Sequence, residues 1–169
     1  MPVNQSTAPT SFSIKLITAF VLVLTLVMFV GAVNEPRLLW AGLALISIDV
    51  FCFLHAPIAY EIRNKQLTVI TRINKKSFAP IIKCSSIEKD KPSFGIRLWG
   101  NGGLFAGTGI FWNKQYGLFR AYVTTGKRPY LILIETLKHK VIITPENPKQ
   151  FLTYIDSHRC PVNFRRMWL

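Results

Sequence analysis

The sequence predicts a membrane α-helical hairpin followed by a mainly-β domain that ends in a helix. Three observations carry that expectation. Two long apolar runs lie before Tyr60, short β-type patterns recur after it at the spacing of an all-β domain, and an amphipathic segment follows the last of them. At the centre of the β region, the stretch from Gly95 to Thr124 interleaves seven glycines with Trp99, Phe105, Phe111, Trp112, Phe119 and Tyr122. Aromatic residues favour strands and carry large buried areas, whereas glycine in a strand marks bulges, bends or close backbone approach. The combination reads as the middle of a small β-barrel.

In chain order, residues 1–12 are polar, uncharged and contain two prolines, the pattern of a disordered leader. Eighteen positions from Leu16 to Val33 then pass without a charge, so a first transmembrane helix is expected over about 14–33. Asn34-Glu35-Pro36-Arg37 makes a turn, and a second apolar run from Leu38 predicts a second helix over about 38–58. A cleaved signal peptide is the competing account, because Val30-Gly31-Ala32 offers small residues to a peptidase. The apolar run is longer than the roughly 7–15 residues of a usual signal core.

Composition agrees with a membrane protein, since half of the 169 residues are apolar. The formal charge of +13 is distributed unevenly: of 21 Lys and Arg, Lys15 and Arg37 alone precede Tyr60. Cytoplasmic flanks carry the excess of Lys and Arg, so the expected location is the cell inner membrane with both termini and the soluble domain in the cytoplasm. Cys52, Cys84 and Cys160 are odd in number and lack C-x-x-C spacing, which suits a reducing compartment and gives neither a disulfide framework nor a zinc site. Asp49 sits deep in the second helix, where an ionisable group costs a few kcal/mol and by default marks a pathway or a pairing site. Two helices leave no room for a conduit. An accessory subunit of a transport or channel complex is the alternative, and it requires Asp49, Gly42 and Ala44 to face other membrane helices.

The soluble domain is expected over residues 59–160, with a basic tail at 161–169. Tyr60 to Arg63 and Gln66 to Thr71 flank Asn64-Lys65, a two-residue hairpin turn that lacks the usual glycine in its second place. Phe78 to Lys83 and Ser86 to Asp90 form the next predicted pair. A long link, Lys91 to Gly103, leads to predicted strands at Gly107 to Trp112, Leu118 to Thr124, Tyr130 to Glu135 and His139 to Thr144. Asn147-Pro148-Lys149-Gln150 then has the form of a helix start, and Phe151, Leu152, Tyr154 and Ile155 fall on one helical face.

Hairpin-forming strands, a glycine-rich centre and one closing helix together resemble the bacterial pleckstrin-homology-like domains of small membrane-anchored proteins. The likeness is carried by Arg97-Leu98-Trp99-Gly100-Asn101-Gly102-Gly103, Gly109-Ile110-Phe111, Gly117-Leu118-Phe119, and Ile143-Thr144-Pro145-Glu146 with Pro148 and Phe151. An N-terminal hairpin before such a domain is also a common arrangement in that family. The resemblance implies a PH-like barrel of about seven strands plugged by the C-terminal helix, and a scaffold rather than an enzyme. It carries over no functional residue: eukaryotic relatives grip phosphoinositides from a long loop after the first strand, and here that loop is only Asn64-Lys65-Gln66.

The residues point to no catalytic chemistry. His55, His139 and His158 are far apart in sequence, the carboxylates beyond Tyr60 are scattered, and no phosphate loop or dinucleotide fingerprint passes through the glycines. No enzyme activity, cofactor or metal is expected. Binding surfaces remain. Arg97, Trp99 and Phe105, between Lys91 and Gly107, are the expected recognition surface for a partner protein or a second copy, since Trp and Arg dominate interface hot spots. The competing expectation folds Trp99 and Phe105 back over the barrel mouth. Arg72, Lys75, Lys76, Lys127 and Arg128 are expected to contact anionic headgroups of the inner leaflet. Nucleic acid is disfavoured, because Trp99 and Trp112 are expected in the core rather than exposed for base stacking.

Overall fold

The structure is a computed structural model and describes residues 5–87, 95–127 and 130–157. Two apolar helices, α1 (Phe12–Gly31) and α2 (Arg37–His55), form the expected hairpin. Ser11 caps α1, its hydroxyl accepting from the Ile14 N–H, and the Ser11 N–H donates to the Thr124 carbonyl. Side chains such as Phe20, Leu26, Val30, Trp40 and Phe51 point outward and are uncovered. A helix pair that is apolar all round suits lipid rather than water, so the hairpin suggests a membrane anchor. Helix α2 ends at His55, earlier than the predicted boundary near 58. Proline disfavours helical geometry at the residue before it, and Ala56, preceding Pro57, is extended at φ −66° and ψ 134°.

The chain passes directly into β2 (Pro57–Arg63), the second strand of a four-stranded sheet ordered β1-β2-β3-β4, with β1 (Gln5–Thr7), β3 (Gln66–Thr71) and β4 (Lys75–Phe78). The leader is thus not wholly free of structure: residues 5–7 pair antiparallel with Ala59 to Glu61. They fill the backbone edge that β2 would otherwise expose, and the Glu146 N–H donates to the Thr7 carbonyl at 3.0 Å. Between β2 and β3 the turn residues Asn64 and Lys65 both adopt positive φ, 50° and 58°. That is the backbone of a tight two-residue hairpin, here adopted by a lysine where glycine is usual.

A six-stranded sheet holds β5 (Ile81–Ser86), β6 (Ile96–Gly102), β7 (Gly107–Asn113), β8 (Gly117–Val123), β9 (Ile132–Thr136) and β10 (Lys140–Ile143), in the order β5-β9-β10-β8-β7-β6. Neighbours are antiparallel except β8 and β10, which run parallel. The predicted barrel of about seven strands is therefore corrected. The described strands form two open sheets facing each other, and no ladder closes them among the described residues. The break falls at Ala79-Pro80, between β4 and β5. Proline offers no N–H to continue the ladder, and after Ile81 donates to the Lys65 carbonyl at 2.8 Å the chain leaves to pair with β9. Of the strands predicted at Phe78 to Lys83 and Ser86 to Asp90, Phe78 ends β4 and Ile81 to Ser86 form β5, while residues 88–90 lie outside the described ones. The long link predicted from Lys91 to Gly103 contains β6.

One core lies between the two sheets and α3 (Pro148–Ser157), and it includes Tyr60, Leu67, Val69, Ile134, Ile143 and Phe151. A second lies on the opposite face of the six-stranded sheet, around Phe111, Phe119, Leu131, Leu133 and Ile142. Burial on both faces explains why Leu131-Ile132-Leu133-Ile134 reads as an unbroken apolar run instead of alternating. Helix α3 starts at Pro148 as predicted and buries Phe151, Leu152 and Ile155. Tyr60 ties the sheets together: its hydroxyl, on β2, donates to the Tyr122 carbonyl of β8 at 2.7 Å and lies 3.3 Å from Thr144 Oγ1. Complete burial pushes its pKa up to about 12, against the opposing pull of its hydrogen bonds with Thr144 and Thr124.

Candidate functional site: the uncovered half of the six-stranded sheet

Six strands stacked on four leave an overhang. Residues paired across neighbouring strands share a face, so the side chains along it can be assigned from the register. On β8, Leu118, Arg120 and Tyr122 alternate onto the face that meets the four-stranded sheet. Tyr122 belongs to the core between the sheets, while Arg120 lies 5.9 Å from the Phe78 ring centroid, at the end of β4. His139 also packs edge-on against Phe78, at 6.1 Å, and partial burial followed by the like charges of Arg120 and Lys138 lowers its pKa. Phe78 and Arg120 thus form the rim of the covered region.

Beyond the rim, Leu118 pairs with Trp112, and Trp112 with Ile96. A regular β6 would turn Trp99 to the opposite face, because Ile96 and Trp99 are an odd number of residues apart. The register skips Leu98: Arg97 faces Phe111, and Trp99 already faces Ile110. This bulge brings Trp99 onto the same face as Ile96, Trp112 and Leu118. The four are exposed by 76%, 65%, 41% and 59% respectively, so together they form an apolar strip across three strands. Where β6 and β7 cross most closely, Gly100 faces Gly109, with φ of 113° and 152°. A Cβ on either would collide with the opposing backbone, and glycine is required at both.

The same bulge separates the residues singled out from sequence. Trp99 lies on the uncovered strip. Arg97 lies on the other face, opposite Phe111, with its guanidinium beside Gly102. Phe105 belongs to neither: it packs against Phe53 of α2 at 5.2 Å between ring centroids, and its N–H donates to Thr18 Oγ1 of α1 at 3.0 Å. The expectation that Trp99 and Trp112 lie in the core is corrected by their exposure, while Ile96 and Leu118 were missed. Periodicity puts an apolar side chain on a face, and which part of that face the other sheet covers is set by tertiary contacts; only the placement of Trp99 depends on the bulge.

The five basic candidates do not form one patch either. Arg72 turns toward the hairpin, its Nη1 donating to the Phe53 carbonyl at 3.1 Å and its guanidinium 4.0 Å above the Phe53 ring. Lys75 and Lys76 are neighbours on β4 and therefore point to opposite faces, Lys76 toward the Tyr122 ring. Lys127 is exposed in the loop after β8, and Arg128 lies outside the described residues. In the hairpin, Asp49 is buried against α1 and accepts from Thr25 Oγ1 at 3.0 Å, and Gly42 packs on the Phe29 ring. Both face inward rather than toward other helices, whereas Ala44 is exposed.

The family model of the bacterial PH domain matches residues 58–159, well over half of the chain. The chain belongs to that family. No curated protein and no solved structure matches it. The match begins within β2 and extends past α3, so this bacterial PH domain comprises both sheets except β1, together with the closing helix. The anchor hairpin and β1 precede it. Such a domain suggests a binding or scaffold module.

Proposed function

We propose that the protein is a membrane-anchored binding module that docks a partner protein, or a second copy of itself, on the strip formed by Ile96, Trp99, Trp112 and Leu118. The carrying observation is the 76% exposure of Trp99 beside three further uncovered apolar side chains. Contiguous exposed apolar area is avoided on solitary soluble surfaces, and aromatic anchors supply most of the energy where such area is used. The hairpin crosses the inner membrane, and the basic domain with both termini is cytoplasmic, as the concentration of Lys and Arg after Tyr60 supports. The domain works by binding and not by turnover, with no cofactor.

Cross-linking in native membranes tests the docking surface. The wild-type chain is expected to give a discrete cross-linked species that Trp99→Ala abolishes while expression and membrane retention stay unchanged. The same species in wild type and variant would overturn it. A reporter active only outside the cytoplasm, fused after Leu169, is expected to be silent, and an active reporter would reverse the topology. The accessory-subunit reading draws less support, since Asp49 and Gly42 are engaged with α1 inside the hairpin.

A further inference from the structure

A cavity of about 380 Å³ lies where the hairpin meets the PH domain, outside the apolar strip. Lys15 and Arg72 contribute its two charges, Thr10 and Thr18 add hydroxyls, and no carboxylate among the described residues lines it. Arg72 is held at one side by its bond to the Phe53 carbonyl and by stacking on the Phe53 ring. That contact uses one of five guanidinium donors and leaves the rest free to serve a ligand. The Lys15 ammonium has no hydrogen-bond or ion-pair partner among the described residues.

The lining is also graded along α1. Lys15, Ala19 and Leu22 fall on one helical stripe, so the wall changes from cation to bare aliphatic surface over about 10 Å at roughly 1.5 Å per residue. The charged end lies beside the domain and the aliphatic end points along the anchor helix. Phe105 closes the cavity from the domain side, and its backbone is strained to do so, with φ 61° in a non-glycine residue. The strain is held by its N–H bond to Thr18, by its ring contact with Phe53, and by Asn101, whose Oδ1 accepts from the Gly103 and Leu104 N–H groups. Backbone strain maintained by several independent contacts is typical of a positioned binding wall.

We infer that this cavity holds one anionic glycerophospholipid, its phosphate between Lys15 and Arg72 and an acyl chain along Ala19 and Leu22. The inference rests on the hairpin spanning the bilayer, which puts the cavity at headgroup level on the side of the domain. Two cations without a carboxylate partner among the described residues select an anionic headgroup, and the aliphatic wall below selects a lipid over a soluble phosphate. A bound lipid at this junction would fix the orientation of the domain on its anchor. This site differs from adsorption of the basic surface onto the leaflet, which would act through residues such as Lys75 and Lys76 that do not line the cavity.

The test uses the full chain reconstituted in nanodiscs containing phosphatidylglycerol in phosphatidylcholine, released into detergent and examined by native mass spectrometry. Wild type is expected to retain one phosphatidylglycerol, and the Lys15→Gln, Arg72→Gln double variant to lose it by roughly tenfold or more. Lys15→Gln alone, which breaks no contact among the described residues, is expected to weaken retention with the circular dichroism spectrum unchanged. Ala19→Trp, which alters no charge, is expected to exclude the lipid by filling the cavity. Lys75→Gln with Lys76→Gln is expected to leave retention intact. Equal retention by wild type and the cavity variants, or equal loss in the Lys75 and Lys76 variant, would overturn the site. Displacement of the lipid by millimolar glycerol phosphate would show a soluble-phosphate site instead. Release of the protein from membranes by alkaline carbonate would sink the anchor reading itself, separately from the lipid.

Discussion

The two halves of the six-stranded sheet are made of similar residues and meet different fates. Around β9, β10 and the end of β8, aliphatic and aromatic side chains are covered by the four-stranded sheet and α3 on one face and belong to the second core on the other. On the neighbouring β6, β7 and start of β8, Trp99, Ile96, Leu118 and Trp112 are exposed, and none of the described residues covers them on the face that the four-stranded sheet covers elsewhere. Residue type therefore does not decide which half is core. The narrower sheet decides it, by where it stops.

The largest expected effect tests the second core, on the face of the six-stranded sheet turned away from the four-stranded one. Phe119 is 1% exposed and stacks on Phe111 at 5.8 Å, so Phe119→Ala should cost about 3–5 kcal/mol through lost transfer energy and the cavity left behind. Chemical unfolding of the full chain in detergent measures it, and a cost below about 1 kcal/mol would mean that the second core is not packed as described.

Alkaline pH probes the tie between the sheets. Burial raises the Tyr60 pKa from 10 to about 12, so its contribution is complete below pH 10 and is lost as pH rises through 12. Two units correspond to about 3 kcal/mol when the loss is complete. The midpoint of unfolding should therefore fall steeply between pH 10 and 12. Tyr60→Phe should flatten that limb while lowering stability at neutral pH by about 1–2 kcal/mol for the lost hydrogen bonds.

Backbone and side chains of the overhang should behave differently from each other. Gly109→Ala forces a Cβ toward the β6 backbone at positive φ and should destabilise by about 2 kcal/mol, although the site belongs to the uncovered half. Trp99→Ala should change stability by less than about 0.5 kcal/mol, the value for an exposed residue away from special geometry. If Trp99→Ala instead costs several kcal/mol, the strip is core and the proposed docking surface disappears.

Much of this architecture can be read from local pattern. Eighteen uncharged positions suffice to predict a helix long and apolar enough to span a bilayer, because those two properties are read directly from the sequence. The Asn64-Lys65 turn and the Asn147-Pro148 helix start depend on a few adjacent residues, and both appear where the pattern puts them. What the sequence by itself determined is thus the set of elements whose causes are local: the helical hairpin, most of the strands, the closing helix and the uneven charge. Tertiary structure alone decided that no ladder closes the two sheets among the described residues, that residues 5–7 cover the edge of β2, that a bulge at Leu98 turns Trp99 away from Arg97, and that Lys15 and Arg72 share a cavity. Each of these depends on which strand lies beside which, or on two segments far apart in sequence meeting. Neither propensity nor periodicity encodes such long-range contacts.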